Sequence, residues 1–314
     1  MKLISFFQFI EIQTKLASVI PFALGTLYAI YIYTSFNFIN FIIMFISLIT
    51  FDMSTTAINN YIDYKKVTFN TSRSKNSIIE KYEITENTAL YTIYILLTIA
   101  IVSGIFLTLN TSIVVLLIGV ASFMVGIFYT YGPIPISRMP LGEVFSGFFM
   151  GFFILFLAMY IHIYDNNIVF IAYANKLLSL NINIFEISKI LLLSIPTIAG
   201  IANIMLANNI CDLEEDILNS RFTLPYYIGK KKALKLFSLL YYISYISLII
   251  LIFLKIVPVV VLLVFITIIP VYRNIKIFTL NPNKDKTFAL SVKNFALINI
   301  CHILIIGSVL LKLH

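Results

Sequence analysis

The feature that most constrains the fold of this chain is the spacing of its charged residues. Only 11% of the 314 residues are Asp, Glu, Lys or Arg, whereas 60% are hydrophobic. The charged residues occur in clusters, and between them lie uncharged stretches at 16–51, 87–137, 144–164, 190–211, 236–254, 256–272 and 294–311. This composition lies far outside the range of soluble globular proteins. The sequence therefore predicts an integral membrane protein.

The lengths of these stretches predict how many helices cross the membrane. A helix needs about 20 apolar residues to span the hydrocarbon core, so the first two stretches predict two helices each and the other five predict one each. Polar residues at 37–40 and 110–111 mark the breaks. The predicted spans are 16–35, 40–60, 88–109, 112–131, 141–163, 189–209, 234–254, 256–272 and 292–311. The expected fold class is all-α, with about nine transmembrane helices, and residues 1–314 are expected to form a single transmembrane domain.

The net charge of +8 is explained by orientation in the membrane, and it does not require a nucleic-acid partner. With a cytoplasmic N-terminus, most cations fall in cytoplasmic segments, among them Lys15, Lys65, Lys66, Arg138, Lys284 and Lys293. Lys176, Lys189, Lys255 and Lys312 are left on the other side. This asymmetry follows the positive-inside rule. We therefore expect a multi-pass protein of the cell membrane, surrounded by lipid, with two polar loops in the cytoplasm and no evident obligate protein partner.

The first polar region lies at the end of the second predicted span. At helical periodicity, Asp52, Thr56, Asn59 and Asp63 fall on one face. Polar side chains within a membrane helix are expected to face protein or a cavity instead of lipid. Asp52 lies about 16 Å deeper than Asp63 by helix rise, which is too far for both to bind one metal ion. A structural role and a catalytic role both remain open for Asp52.

The second polar region follows the sixth predicted span. Asn208, Asp212 and Asp216 stand at successive i, i+4 positions, where like charges on a helix repel each other. A divalent cation would offset this repulsion, and Mg²⁺ commonly bridges one or two carboxylates to substrate phosphates. The alternative is a solvated acidic loop face without a ligand.

Basic residues follow each acidic cluster. Arg73 and Lys75 come after the first, and Arg221 and the lysines at 230–232 after the second. Cations so placed are suited to holding the remaining charge of a diphosphate. The lysines at 230–232 are equally well explained as determinants of membrane orientation.

The two polar regions resemble the aspartate-rich motifs of UbiA-type prenyltransferases. The residues that carry the resemblance are Asn59-Asn60-x-x-Asp63 and Asn208-Asn209-x-x-Asp212-x-x-x-Asp216, the latter continuing into Arg221-Phe222-Thr223-Leu224. A third stretch, from Tyr129 and Tyr131 to Leu141-Gly142-Glu143, is similar to the 1,4-dihydroxy-2-naphthoate polyprenyltransferase branch. The resemblance implies nine helices around a central cavity, with both motifs at its cytoplasmic mouth.

The resemblance also implies a reaction, the transfer of a prenyl group from an isoprenoid diphosphate donor to an aromatic acceptor with Mg²⁺ as cofactor. In the naphthoate branch, the acceptor loses its carboxyl group as CO₂ and a menaquinone precursor is formed. The expected catalytic residues are Asp63, Asp212, Asp216, Tyr129 and Tyr131. The expected substrate-binding residues are Asn59, Asn60, Asn208, Asn209, Arg73, Lys75 and Arg221, and the expected metal ligands are Asn59, Asp63, Asp212 and Asp216.

Two other functions remain possible from the sequence. A UbiA-type enzyme with another acceptor, such as 4-hydroxybenzoate, homogentisate, haem or a lipid alcohol, would carry the same motifs. A transporter could use the polar stripe as an ion path, although it needs polar groups that reach both sides of the membrane. Here the carboxylates cluster at the predicted cytoplasmic ends, apart from Asp52.

The positive-inside asymmetry predicts that both carboxylate loops are cytoplasmic and that His314 is on the opposite side. Single cysteines placed beside Lys75 and beside His314, in a variant without Cys211 and Cys301, test this by labelling from each side of intact cells. A membrane-impermeant reagent should label only the site beside His314. Labelling beside Lys75 from the exterior would contradict the orientation.

Overall fold

A computed structural model describes residues 1, 3–69, 77–130, 135–174 and 176–313. Most of the described residues are helical. In chain order the helices are α1 (Leu3–Phe9), α2 (Leu16–Tyr33), α3 (Phe38–Phe69), α4 (Ile78–Lys81), α5 (Glu86–Asn110), α6 (Ile113–Thr130), α7 (Gly142–Ser146), α8 (Ile154–Ile163), α9 (Ile184–Cys211), α10 (Leu213–Leu218), α11 (Leu224–Ile228), α12 (Lys230–Phe253), α13 (Ile268–Leu280) and α14 (Ala289–Leu313). A π-helical segment, Gly147–Phe153, joins α7 to α8, and a 3₁₀-helix, Val259–Thr267, leads into α13.

The membrane spans follow the uncharged stretches closely. Within the described residues, 8 helices are long and apolar enough to cross a membrane: Ile12–Tyr33, Phe38–Lys65, Glu86–Asn110, Gly142–Asn166, Ile184–Cys211, Lys230–Phe253, Val259–Leu280 and Ala289–Lys312. Another apolar helix, Ile113–Tyr129, is shorter. The predicted all-α, polytopic membrane class is confirmed. The count of nine spans stays a prediction.

The chain forms two compact units. Unit 1 comprises residues 1–19 and 38–127, and unit 2 comprises residues 20–37 and 128–314. In unit 1, α3 packs along α5, and Phe51 stacks on Phe123 with ring centroids 3.8 Å apart. Its buried apolar cluster consists of Phe9, Ala57, Ile79, Ile84, Ala89 and Ile93. The assignment of residues 1–314 to a single domain stays a prediction.

Helix α3 is longer than the predicted span of 40–60. It continues to Phe69, about nine residues beyond the predicted end at residue 60. The sequence between Phe38 and Phe69 contains neither Gly nor Pro, and these residues are the usual helix breakers. The first polar motif is therefore carried on a continuous helix.

Asp52 is part of a buried ion pair in unit 1. Lys15 Nζ lies 2.7 Å from Asp52 Oδ1 and also donates to the Thr56 hydroxyl at 2.7 Å. Ser18 Oγ donates to Asp52 Oδ2 at 2.5 Å. The Lys15 residue is only 3% exposed. Because both carboxylate oxygens have donors, the structure favours a structural role for Asp52 over a catalytic one.

Close packing places α9 within unit 2. A Cβ atom on Gly151 would lie 2.6 Å from the Ile198 Cα, and one on Gly200 would lie 2.5 Å from the Phe295 ring. Thr197 Oγ1 donates to the Gly151 carbonyl at 2.9 Å. These glycines allow the Gly147–Phe153 segment and α14 to approach α9, whose C-terminal end carries the second polar motif.

The helical prediction missed one β-hairpin. Strands β1 (Val169–Ala174) and β2 (Leu177–Ile182) pair antiparallel, with Val169 opposite Ile182 and Ala174 opposite Leu177. The strands contain Val, Phe, Ile and Tyr, which favour β-structure. Asp165 and Lys176 interrupt the apolar pattern in this region, so it contains no uncharged stretch long enough to be recognised as a membrane span.

The buried ion pair predicts that Lys15→Ala destabilises the protein. Removing one partner leaves the other charge buried and uncompensated, which costs roughly 3–5 kcal/mol of the free energy of unfolding. Chemical unfolding in detergent measures this loss. Lys65→Ala is the matched control, because Lys65 pairs with Glu86 at 2.5 Å and its side chain is 40% exposed. Equal stability of Lys15→Ala and Lys65→Ala would contradict the structural role.

Candidate active site

The second polar motif lies at the C-terminal end of α9. This helix begins at an N-cap, where the Asn183 side chain accepts the Glu186 backbone N–H. Its i→i+4 pattern continues past Cys211, since the Asp212 N–H donates to the Asn208 carbonyl at 3.0 Å and the Asp216 N–H donates to the Asp212 carbonyl at 2.8 Å. Asn208, Asp212 and Asp216 therefore occupy successive helical turns, as predicted from their spacing.

Two cations compensate the carboxylates of this motif. Lys284 Nζ donates to Asp212 Oδ2 at 2.5 Å and also to Asn208 Oδ1. Arg221 Nη1 lies 3.3 Å from Asp216 Oδ1. The Asp216 residue is only 2% exposed, and its burial raises the pKa of the carboxyl group, while the charge of Arg221 opposes this shift. The side-chain oxygens of the second motif are thus paired with basic groups.

A buried carboxylate lies beside the motif. Glu143, in the first turn of α7, is 4% exposed, and its Oε1 accepts a hydrogen bond of 2.8 Å from the Asn209 side-chain amide. Tyr129 is close by, because a Cβ atom on Gly142 would lie 3.4 Å from its hydroxyl. Asn209 was predicted to bind substrate, and in this structure its side-chain NH₂ group donates to Glu143. The substrate-binding role of Asn209 stays a prediction.

Several buried polar atoms of this region lack hydrogen-bond partners. They are Tyr129 Oη, Glu143 Oε2, Asn209 Oδ1, Asp216 Oδ2, Arg221 Nε and Thr223 Oγ1. Burying a polar atom without a partner costs roughly 1–3 kcal/mol, and such atoms are uncommon in folded proteins. A bound ligand or ion that supplied partners would recover this free energy.

The first polar motif lies on α3 in unit 1. Asp63 is exposed, whereas Asn59 and Asn60 are half-buried. The Asn60 side-chain amide donates to the Phe9 carbonyl at 2.9 Å and to Glu11 Oε1 at 3.3 Å, so it anchors the N-terminal segment to α3. The proposed roles of Asn59 and Asp63 as metal ligands, and of Asn60 in substrate binding, stay predictions.

Three predicted site residues, Arg73, Lys75 and Tyr131, lie outside the described residues.

The chemistry of the second motif fits Mg²⁺. The side chains of Asn208, Asp212 and Asp216 offer oxygen atoms, which this ion prefers. Asp216 Oδ2 is buried without a partner, and the oxygens of Asn208 and Asp212 already converge on one cationic group. No group of three or more His, Cys, Asp or Glu side chains placed to hold a metal occurs among the described residues.

Two residues of this site, Lys284 and Glu143, were not predicted from the sequence. Lys284 was counted only as a charge that sets orientation, since it lies 68 positions beyond Asp216 in the numbering. Glu143 was noted only as part of a resembling stretch. The sequence could have indicated Glu143 as a site residue, because this carboxylate lies at the edge of an uncharged stretch, where a buried charge usually has a function.

The family of the chain is established by sequence. The model of the UbiA prenyltransferase family matches residues 18–299, and the chain belongs to this family. A relative from Bacillus subtilis (strain 168), a 1,4-dihydroxy-2-naphthoate octaprenyltransferase, is 30% identical over 234 residues, which are 74% of this chain and 68% of the relative. The chain is therefore a multi-pass membrane enzyme, a prenyltransferase.

Solved structures share the fold. A UbiA homolog from Aeropyrum pernix K1 superposes with a TM-score of 0.62 at 15% identity, covering 94% of this chain and 98% of its own. A UbiA homolog from Archaeoglobus fulgidus, bound to GPP and Mg²⁺, gives a TM-score of 0.59 at 15% identity, covering 98% of this chain and 99% of its own. At these identities the comparison establishes the fold alone.

The position of Arg221 predicts an effect on donor affinity. Arg221→Ala removes a cation beside Asp216, so the apparent KM for the prenyl diphosphate should rise by roughly tenfold, with a smaller effect on kcat. Steady-state kinetics with varied donor measure this. Lys276→Ala removes an exposed cation of α13 and serves as the control. A folded Arg221→Ala variant with unchanged KM and kcat would show that Arg221 does not contribute to donor binding.

Proposed function

We propose that this enzyme transfers a prenyl group from an isoprenoid diphosphate to 1,4-dihydroxy-2-naphthoate, a step of menaquinone biosynthesis, with Mg²⁺ as cofactor. The observation that carries the choice of acceptor is the 30% identity to the Bacillus subtilis naphthoate octaprenyltransferase across 74% of this chain. The stretch from Tyr129 to Glu143 supports the same branch. Its ends come together in unit 2, where Gly142 lies against the Tyr129 hydroxyl.

The second motif is proposed to bind the diphosphate of the donor. Asp212 and Asp216 would hold Mg²⁺ through side-chain oxygens, assisted by Asn208, and Asn59 and Asp63 are the ligands proposed from the first motif. The Arg221 guanidinium is suited to the phosphate oxygens, because it is already beside Asp216 and its Nε is buried without a partner. A cation in this position bonds the diphosphate while keeping the neighbouring carboxylate compensated.

The chemical step requires charge compensation more than proton transfer. The allylic C–O bond breaks, and the diphosphate leaves with the bonding electron pair. A ring carbon of the acceptor forms the new C–C bond and then loses its carboxyl group as CO₂, and the electron pair of the broken C–C bond restores the aromatic ring. When bound, Mg²⁺ supplies positive charge that stabilises the departing diphosphate. Arg221 adds a fixed positive charge at the same place, which is most effective where water is excluded.

Tyr129 is proposed to stabilise the allylic cation through its ring face, and the same role is proposed for Tyr131. The Tyr129 hydroxyl is buried near the Glu143 carboxylate. This position favours a fixed ring orientation, which a cation–π contact requires. The enzyme is further proposed to reside in the cell membrane with both motif loops in the cytoplasm.

The proposed function predicts which product forms in a competition between acceptors. Purified enzyme with Mg²⁺, a labelled prenyl diphosphate and a panel of acceptors should give the prenylated, decarboxylated naphthoate product by mass spectrometry. The panel includes 4-hydroxybenzoate, homogentisate, haem and a lipid alcohol. Asp216→Asn, which removes a proposed ligand charge at nearly constant shape, should abolish product formation.

Three results would contradict the proposal. A product from another acceptor, with none from the naphthoate, would mean that the enzyme is a prenyltransferase with a different acceptor. Full activity of Asp216→Asn would remove the second motif from donor binding. Substrate-free ion flux in liposomes, without diphosphate release, would favour a transporter.

A further inference from the structure

The ammonium group of Lys284 lies where side-chain oxygens of the second motif converge. It lies in the loop between α13 and α14, and its ammonium group donates to Asp212 Oδ2 at 2.5 Å and to Asn208 Oδ1. These two oxygens belong to residues one helical turn apart and are both proposed as metal ligands or substrate contacts. A single charged group thus holds together two members of the motif.

The loop that carries Lys284 is internally bonded. Asn283 Oδ1 accepts the backbone N–H groups of Asp285 and Lys286 at 3.0 and 2.9 Å. The Thr287 hydroxyl donates to the Asn281 carbonyl at 2.9 Å and accepts the Asn283 N–H at 2.8 Å. These bonds fix the backbone next to α9. The Lys284 side chain itself is 45% exposed, so it has room to change its partners.

An ordinary surface salt bridge is the alternative explanation for this contact. Such pairs usually contribute less than about 1 kcal/mol and need only one acceptor. Here the ammonium bonds an uncharged amide oxygen as well as the carboxylate, and both acceptors lie on the face that also carries Asp216. An ammonium and a divalent cation cannot share these oxygens at contact distance without strong like-charge repulsion.

We propose that Lys284 is an exchangeable counter-ion of the second motif. Before substrate binds, its ammonium compensates Asp212 and keeps the oxygens of Asn208 and Asp212 directed at one point. When the metal and the diphosphate arrive, Lys284 releases these oxygens and donates to the diphosphate, for which a lysine is a suitable point charge. This inference rests on the proposed role of the second motif in metal and diphosphate binding.

The two parts of this role have opposite consequences for binding. Lys284 competes with the metal when no diphosphate is present, so its removal should strengthen metal binding. Lys284 attracts the diphosphate once the metal is bound, so its removal should weaken diphosphate binding. A purely structural salt bridge would not weaken diphosphate binding when it is removed.

The test uses Lys284→Met, which removes the ammonium and keeps most of the side-chain length. Titration calorimetry of the full-length protein in detergent measures Mn²⁺ binding without donor, and then inorganic diphosphate binding in saturating Mn²⁺. Lys284→Met should bind Mn²⁺ about tenfold more tightly and diphosphate about tenfold more weakly than wild type, the size expected for one charge-assisted hydrogen bond. Lys286→Met, an exposed lysine of the same loop, should match wild type in both.

Two reference results separate this inference from the proposed function. If Asp212→Asn binds Mn²⁺ as tightly as wild type does, the second motif is not the metal site and the proposed function loses its basis. Weaker Mn²⁺ binding by Asp212→Asn would support the second motif as the metal site. If Lys284→Met then leaves either the Mn²⁺ or the diphosphate affinity unchanged, the proposed exchange by Lys284 is wrong.

Discussion

The structure depends on the high free energy of an uncompensated charge away from water. A carboxylate or ammonium group in a membrane protein is stable where another group neutralises it or where it reaches solvent. Asp52 has Lys15, Asp216 has Arg221 and Asp212 has Lys284. The uncharged stretches form helices because a helix satisfies its own backbone N–H and C=O groups in lipid, and these stretches carry no side-chain charge that needs compensation. The same constraint concentrates the chemistry at the helix ends.

Compensation takes two forms in this chain. Around Asp52 both carboxylate oxygens accept hydrogen bonds, and the side chains of Lys15 and Asp52 are only 4% and 13% exposed. At the second motif the compensation is incomplete, because Asp216 Oδ2, Arg221 Nε and Glu143 Oε2 are buried without partners. A fully satisfied network stabilises the fold, and a partly satisfied one is suited to gaining partners from a substrate. This contrast separates a structural aspartate from the proposed catalytic ones, although both lie in or beside membrane helices.

The sequence predicted the membrane class, the helix positions and the helical spacing of the second motif, because each depends on local periodicity. It did not predict the β-hairpin from Val169 to Ile182, since strand pairing depends on cross-strand contacts and not on hydrophobic length. It also missed the contacts of Lys284 with Asp212 and of Asn209 with Glu143. These pairs are distant in sequence, and a single sequence contains no local pattern that identifies them. Asp52 could be recognised as costly, but its partner Lys15 could not be distinguished from the other basic residues.

The most direct test of this account is Mg²⁺-dependent binding of a prenyl diphosphate to three isosteric variants, Asp63→Asn, Asp216→Asn and Asp52→Asn. The first two remove the charge of a proposed metal ligand, whereas the third removes the charge of a carboxylate that is already bonded to Lys15 and Ser18. The account predicts that Asp63→Asn and Asp216→Asn lose metal-dependent binding and that Asp52→Asn retains it with reduced stability. Loss of binding in Asp52→Asn, together with unchanged binding in Asp216→Asn, would contradict it.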